Sequence, residues 1–393
     1  MKPSSRQLTI GMLVCSGVAL AATAPQASGQ GGARPAVVQQ AGAPAATWDA
    51  RAAAAYLDGR EGWWLTWPTA SRDHETSCVS CHTALPYALA RPALRSMLKE
   101  QDVSATERRL VENVSKRVML WKEVEAFYPD QTSGLPKTSE SRGTEAILNA
   151  VVLATRDAVS GKASDDARAA FDNLWALQFR KGDLAGAWAW LNFHLEPWES
   201  TDAAYFGASL AAVAVGTEPE AYAARADIQP RVKALSSYLQ RGAATQPLFN
   251  RAMVLWASSR LPGVLATAER QSIVDALWNA QQADGGWSLS SLGQWKRGDG
   301  TPLETKSDGY ATGVVALALQ QAGASPTEPH VARALTWLIQ NQDRATGMWS
   351  ASSLNKQRDP ATDIGKFMSD AATGYAVLAL TLAQQAHPVA GAP

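Results

Sequence analysis

The feature that most constrains this chain is that it repeats itself. The run Arg333-Ala334, Trp337-Leu338, Gln342, Gly347 and Trp349 has an earlier copy in Leu277, Gln281, Gly285 and Trp287. A looser copy is Leu174, Gln178, Gly186 and Trp188, and an eroded one is Leu57, Glu61, Gly62 and Trp64. Each reads as a helix ending in a turn where glycine takes a positive φ without steric cost. A tryptophan then packs back on a neighbouring helix. Such recurrence marks a repeat architecture, in which each unit buries its apolar face only against its neighbours.

A second, more apolar helix follows each turn. The openings are Ser139–Gly143, Glu199–Asp202, Ser307–Gly313 and Ser369–Gly374, and each carries the Ser, Thr or Asp expected of a helix N-cap. The bodies are dense in Ala, Leu and Val on every side, the pattern of buried helices. Ser77 to Ser141 is 64 residues, Ser141 to Ser200 is 59 and Ser307 to Ser369 is 62. Ser200 to Ser307 is 107, two units with a degenerate one at Val232–Leu261 between them. The count gives six helix pairs, and hence an all-α fold: a single α/α toroid with two concentric rings. A length of 393 residues alone suggests two domains, but the repeat favours one, over residues 48–387.

The ends read differently. Lys2 and Arg6 precede an apolar stretch from Leu8 to Leu20, with small residues to Ala24, which predicts an export signal over residues 1–24. That stretch is too short to span a bilayer. Cys15 offers a lipoprotein as the minor alternative. Residues 25–47, rich in Ala, Gly, Gln and Pro, predict a disordered linker, and 388–393 a C-terminal tail. The expected location is periplasmic, with no transmembrane helix in the mature chain. Thirty-six basic residues balance thirty-six acidic ones, and losing Lys2 and Arg6 leaves thirty-four against thirty-six. No basic stripe calls for a nucleic acid.

Removing the signal leaves two of three cysteines, Cys78 and Cys81, in Ser77-Cys78-Val79-Ser80-Cys81-His82. Cys-x-x-Cys-His is the attachment pattern of a c-type haem, in which the thiols add to the haem vinyl groups and the histidine becomes an axial iron ligand. A thioredoxin-like pair wants an α/β setting. A zinc site needs two further ligands, with His74 the nearest help. A disulfide would close a loop too short to add much stability. Covalent haem c asks only for export and the motif, and is the expected cofactor, held by Cys78, Cys81 and His82. Met97 is the favoured sixth ligand, with Met119, His74 or an open, water-bound position as alternatives. Inside a helix Pro86 would clash with the carbonyl of His82, so the motif should form a turn, with the helix starting near Leu85 or Pro86. Ser77 stands one period before Ser141, placing the motif at the first inner-helix start. Iron is therefore expected beside the ring's mouth, near the loops that begin at Ser200, Ser307 and Ser369.

The pattern basic–small–x–x–aromatic–aliphatic–x–x–x–Gln, then Gly–x–Trp, at 333–349 resembles the Gln-Trp repeat of the squalene-hopene cyclase and prenyltransferase superfamily. The resemblance covers about residues 50–385 and implies an α/α toroid whose inner helices surround a cavity for isoprenoid chains. The chemistry does not transfer with it. The Asp-x-Asp-Asp acid of the cyclases is absent, and Ser164-Asp165-Asp166 is an ordinary connector. The mature chain has no cysteine for a prenyltransferase-type zinc site. No Gly-x-Ser-x-Gly elbow is present, and no catalytic residue is assigned. Asp202, Tyr205, Asp308, Tyr310, Asp370 and Tyr375 are candidates to line the cavity mouth, against the plainer reading of caps and packing residues. His194 reads as structural. The expected function is electron transfer or redox chemistry beside an apolar cavity, with a redox partner protein and an isoprenoid or other apolar small molecule as possible partners. The alternatives are an isoprenoid-processing enzyme with non-standard catalytic residues and a non-catalytic lipid- or partner-binding ring.

Overall fold

The computed structural model describes residues 47–130 and 137–386. The expected signal peptide, Cys15, the C-terminal tail and all but the last residue of the expected linker lie outside the described residues. Among the described residues, twelve α-helices alternate between two environments. The outer set is α1 (Ala50–Trp64), α3 (Ala105–Met119), α5 (Asp165–Leu177), α7 (Gln229–Gly242), α9 (Thr267–Asn279) and α11 (Pro329–Gln340). The inner set is α2 (Ala84–Leu98), α4 (Lys137–Ser160), α6 (Ala203–Thr217), α8 (Leu248–Arg260), α10 (Gly309–Gln321) and α12 (Phe367–Ala386). The all-α expectation holds; a two-stranded hairpin, β1 (Ser71–Arg72) with β2 (Thr76–Ser77), is the sheet among the described residues.

Composition explains the division. Helix α10 buries all but one of its residues, Gly309 to Gln320, whereas α9 buries only Ile273 and Leu277. The inner helices neighbour one another in the order α2, α4, α6, α8, α10, α12 and back to α2, and each outer helix packs on the inner helix that follows it or flanks it. Small residues permit this. A Cβ at Gly374 on α12 would come within 2.5 Å of Pro86 on α2, so glycine is what lets these two helices meet.

The repeat motif is the joint between units. Gln178, Gln281 and Gln342 each donate from Nε2 to the carbonyl of the turn glycine in their own unit: Gly186, Gly285 and Gly347. Each also donates to the next outer helix, at the carbonyls of Arg231, His330 and Asp49. The last of these joins the final repeat to the first and closes the cycle. Gly347, at φ 81°, sits so close to Ala52 that a Cβ would lie 2.2 Å from its carbonyl carbon. Trp188, Trp287 and Trp349 are buried and donate to Leu174, Leu277 and Leu338. They therefore lock onto their own outer helix rather than a neighbour's. The eroded first copy departs from this plan: Trp64 donates to the carbonyl of Cys78, and both carboxyl oxygens of the buried Glu61 lack a hydrogen-bond partner.

The expected caps need correction. Only Asp308 acts as an N-cap by its side chain, accepting from Tyr310 and Ala311. Asp202 stands at the cap of α6 without a side-chain bond. Ser141, Ser369 and Asp370 lie inside their helices, because α4 and α12 begin earlier, at Lys137 and Phe367. Ser141 instead bridges both backbone groups of Tyr128, and Asp370 is taken by side chains described below.

Candidate functional site

The Cys-x-x-Cys-His segment is held from three sides before α2 begins at Ala84. Helix α3 clamps its entry: Asn113 binds both backbone groups of Ser77, and Arg117 donates to the Thr76 hydroxyl. Arg117 is fully buried and pairs with the equally buried Glu145 of α4 at 2.5 Å, which fixes the hairpin to the inner ring. Cys78 donates from its backbone to Ala70, and its carbonyl accepts from Trp64 at 2.6 Å. The Ser80 hydroxyl then accepts from the backbone N–H of Thr83, the N-cap of α2, and of Ala84. The motif is thus a turn, as Pro86 requires, and helix begins two residues before that proline.

The two thiols are reduced and buried. Burial pushes Cys78 up to about 12 and Cys81 well above the ordinary thiol value. A reactive redox pair needs the opposite, a stabilised thiolate, so the environment argues against thioredoxin-like exchange. Cys81 lines a cavity of about 230 Å³ together with His82. Cys78 stands just behind that wall; the phenol of Tyr128, which does line it, is raised by burial first and by the neighbouring Cys78 second.

His82 sits in a cage of aromatic rings. Its imidazole stacks on Phe367 at 3.8 Å, meets Trp64 edge-on at 4.9 Å and lies 5.9 Å from Trp198. Burial first, then the positive charges of Arg60 and Arg358, together lower its pKa to about 3. The ring is therefore neutral at ordinary pH, with one N–H and one lone pair. Hydrogen bonding decides which nitrogen has which. The Thr83 hydroxyl donates to Asp370 Oδ2 at 2.8 Å, and His82 Nδ1 lies 2.8 Å from the same hydroxyl oxygen. A hydroxyl has one proton; with that proton given to the carboxylate, the oxygen accepts from Nδ1–H. Nε2 keeps the lone pair. Asp370 also accepts from Arg60 through Nε at 2.7 Å and Nη2 at 3.0 Å, and from the Tyr56 hydroxyl at 2.8 Å. Donors converge on both carboxylate oxygens, as suits the charged form.

Trp64, Trp67, Tyr128, Trp198 and Phe367 make the cavity wall aromatic, and Leu195 and Ile364, both partly exposed, edge it. Three charged side chains reach it: Glu196, Glu199 and Arg358. Burial raises the Glu199 carboxyl to about 7, with Lys137 opposing. Arg358 makes no side-chain hydrogen bond or ion pair among the described residues. A wider groove of about 390 Å³, lined by Pro92, Val111 and Val159, lies toward the other end of α2 and gathers no comparable chemistry.

The sequence-predicted residues divide sharply. Cys81 and His82 stand in the wall, Cys78 behind it. Asp370 acts one step behind His82, and Tyr310 one step behind Trp198, whose indole donates to it at 2.8 Å. Tyr375 packs deeper, against Tyr310 and Trp256. Asp308 is a partly buried cap, its carboxyl raised by desolvation to about 6. Tyr205 donates to Leu239, and exposed Asp202 borders a separate surface recess. None of the six mouth candidates lines the cavity. Met97 is also displaced: it lies thirteen residues beyond Ala84 on the same helix, about 20 Å along the axis at 1.5 Å per residue. Met119 is exposed at the end of α3, and His74 and His194 are exposed and do not line the cavity, although His194 directly precedes Leu195 at its edge. The segments that precede Ser200 and lead into α12 supply the cavity, whereas Ser307 bonds to Gln282 and Asp284 elsewhere. Trp198, Glu199, Arg358, Phe367 and Met368 had no sequence signal of their own. They occupy long loops or the first turn of an inner helix, where the repeat pattern is silent.

No family model matches this chain, and no curated protein matches it. Among solved structures it is similar to a polysaccharide lyase, with 12% identity over 89% of this chain and 93% of that one, at a TM-score of 0.36. A likeness this distant says nothing about activity.

The residues present fit a haem in their chemistry. A free imidazole Nε2, a thiol in the same wall with its motif partner adjacent, flat aromatic surfaces and an unpaired guanidinium that could meet a carboxylate are the groups such a ligand uses. No described helix is long and apolar enough to cross a membrane.

Proposed function

We propose that this chain is an exported α/α-toroid protein of the cyclase-like repeat type carrying one covalent c-type haem, and that it acts in electron transfer or redox chemistry beside the aromatic cavity. Cys78 and Cys81 would hold the group, and His82 would ligate its iron through Nε2. The observation that carries this reading is the relay Asp370–Thr83–His82, which places the imidazole proton on Nδ1 and leaves Nε2 free. Second partners of this kind orient metal-binding histidines and raise their basicity. The bound group would supply one-electron transfer. The protein's own part is to hold His82 neutral and aimed, to exclude water with Trp64, Trp198 and Phe367, and to offer Arg358 to a carboxylate.

A second reading is favoured by the same aromatic wall: an isoprenoid or other apolar small molecule as occupant, in keeping with the resemblance of the Gln-Trp repeat. One experiment separates them. Protein co-expressed with a cytochrome c maturation system should be red, with Soret absorbance that stays with the polypeptide after denaturation. A colourless product with two free thiols, and terpenoid in its organic extract, would reverse the order.

A further inference from the structure

We propose that the thioether of Met368 is the second axial ligand of the iron. The inference rests on the haem reading above and adds which side chain of this chain completes the coordination.

The donors of the cavity wall can be taken one by one. Met97 is excluded by the length of α2. Cys81 is committed to the covalent link. The Asn355 amide is occupied by Glu196, donating to its carbonyl at 2.8 Å and accepting from its N–H at 2.7 Å. Arg358 is a cation and no ligand. Tyr128, Glu196 and Glu199 are oxygen donors, and burial raises all three, so each would coordinate as an anion only against the desolvation that keeps it protonated. Met368 is the sole thioether in the wall. It is neutral and needs no hydrogen-bond partner in an aromatic surround.

Position supports chemistry. Met368 is 4% exposed and occupies the first turn of α12, next to Phe367, whose ring stacks on His82. Asp370, which sets the His82 tautomer through Thr83, follows within the same turn. One helix start therefore fixes the orientation of the histidine and brings the thioether to the same cavity. Methionine–histidine ligation raises the reduction potential relative to stronger donors, which suits an electron carrier.

The test uses full-length protein matured with haem. Wild type should be low-spin, with the weak long-wavelength thioether band in the ferric state and a strongly upfield methionine methyl signal in the ferrous NMR spectrum. Met368→Leu should keep covalent haem, lose both signatures, fall in potential and bind added imidazole that wild type excludes. Met97→Leu should change none of these. Should Met368→Leu fail to mature, Met368→His must give a bis-nitrogen spectrum at lower potential; thioether signals persisting there overturn the assignment. A red wild type that is already high-spin, or whose spectrum survives Met368→Leu, overturns the ligand assignment alone. A colourless wild type overturns the haem reading and this inference with it.

Discussion

The imidazole of His82 lies against the phenyl ring of Phe367, 3.8 Å between centroids and 21° from parallel. The contact joins the first inner-helix start to the last across the closure of the helix cycle. It also explains why the histidine of this turn remains neutral: a ring packed among aromatic rings has little water to stabilise its cation. The same segment of α12 supplies Asp370, so the closing helix both confines His82 and fixes its proton.

That confinement predicts the titration of the metal-free protein. His82 should show no inflection in its C2–H shift through the range where histidine ordinarily titrates, since its folded pKa is about 3 against 6.5. The sign for stability follows. Between these values the unfolded chain binds more protons than the folded one, so this residue makes stability rise with pH and costs stability as pH falls below 6.5. Phe367→Ala, by admitting water, should move the pKa back toward the ordinary value. A wild-type inflection close to 6.5 would show that the ring is solvated.

Asp370 should matter for folding as much as for the histidine. Asp370→Ala removes the acceptor of Tyr56 and Thr83 and leaves Arg60 with Asp363 alone, and breaking a buried ion pair from one side costs about 3–5 kcal/mol. Asp370→Asn keeps an acceptor oxygen but loses the charge, and should cost less. Urea unfolding at neutral pH measures both; a loss below about 1 kcal/mol for the alanine variant would mean that the network is not stabilising.

The joint between the last and first repeats makes a third prediction. Gln342 exchanges bonds of 2.6 and 2.9 Å with the backbone of Asp49 and gives one of 3.0 Å to Gly347. At about 1 kcal/mol net for each bond, Gln342→Ala should cost roughly 1–3 kcal/mol. Gln271, exposed on α9 and bonded only to Asp275, is the control and should stay within about 0.5 kcal/mol. Equal effects in the two variants would remove the closure role. Gly347→Ala should be worse than Gln342→Ala, because it combines a positive φ with a backbone clash against Ala52.

Much of this was legible in the sequence for a physical reason. Gln178, Gln281 and Gln342 make the same two backbone bonds in each unit, so the same geometry demanded the same residue types, although the interval from Gln to Gly varies from four to eight residues. Cys78, Cys81 and His82 were visible because attachment chemistry needs adjacent groups. The cavity wall was not visible in this way. Trp198 and Arg358 come from loops far apart in sequence, Phe367 opens α12, and no periodicity ties the three together. Asp308 and Asp370 looked equivalent from their Ser-Asp openings, yet one caps a helix and the other, three residues into α12, is claimed by Arg60 from α1. Local pattern fixes a helix start; the partner arriving from another repeat decides what the side chain there does.

Glu199 gives a prediction of opposite sign to His82. Its carboxyl, ordinarily near 4.5, is raised by burial to about 7. Between those values the folded chain binds more protons than the unfolded one, so this group's stabilising share is complete below 4.5 and is lost as pH rises through 7. The wild type should therefore lose thermal stability between about pH 5 and 8, with His82 and Glu199 opposing each other in the lower part of that span. Glu199→Gln removes the proton uptake while keeping size and polarity, so its melting temperature should fall less steeply and exceed that of wild type at the alkaline end. Glu218 is also raised by burial to about 7, but it sits at the C-terminal cap of α6, outside the cavity wall. Glu218→Gln should flatten the same slope without altering the spectrum of haem-loaded protein, whereas Glu199→Gln should alter both. A melting profile for Glu199→Gln parallel to wild type would mean that the carboxyl is hydrated, and that the cavity is wetter than its aromatic wall implies.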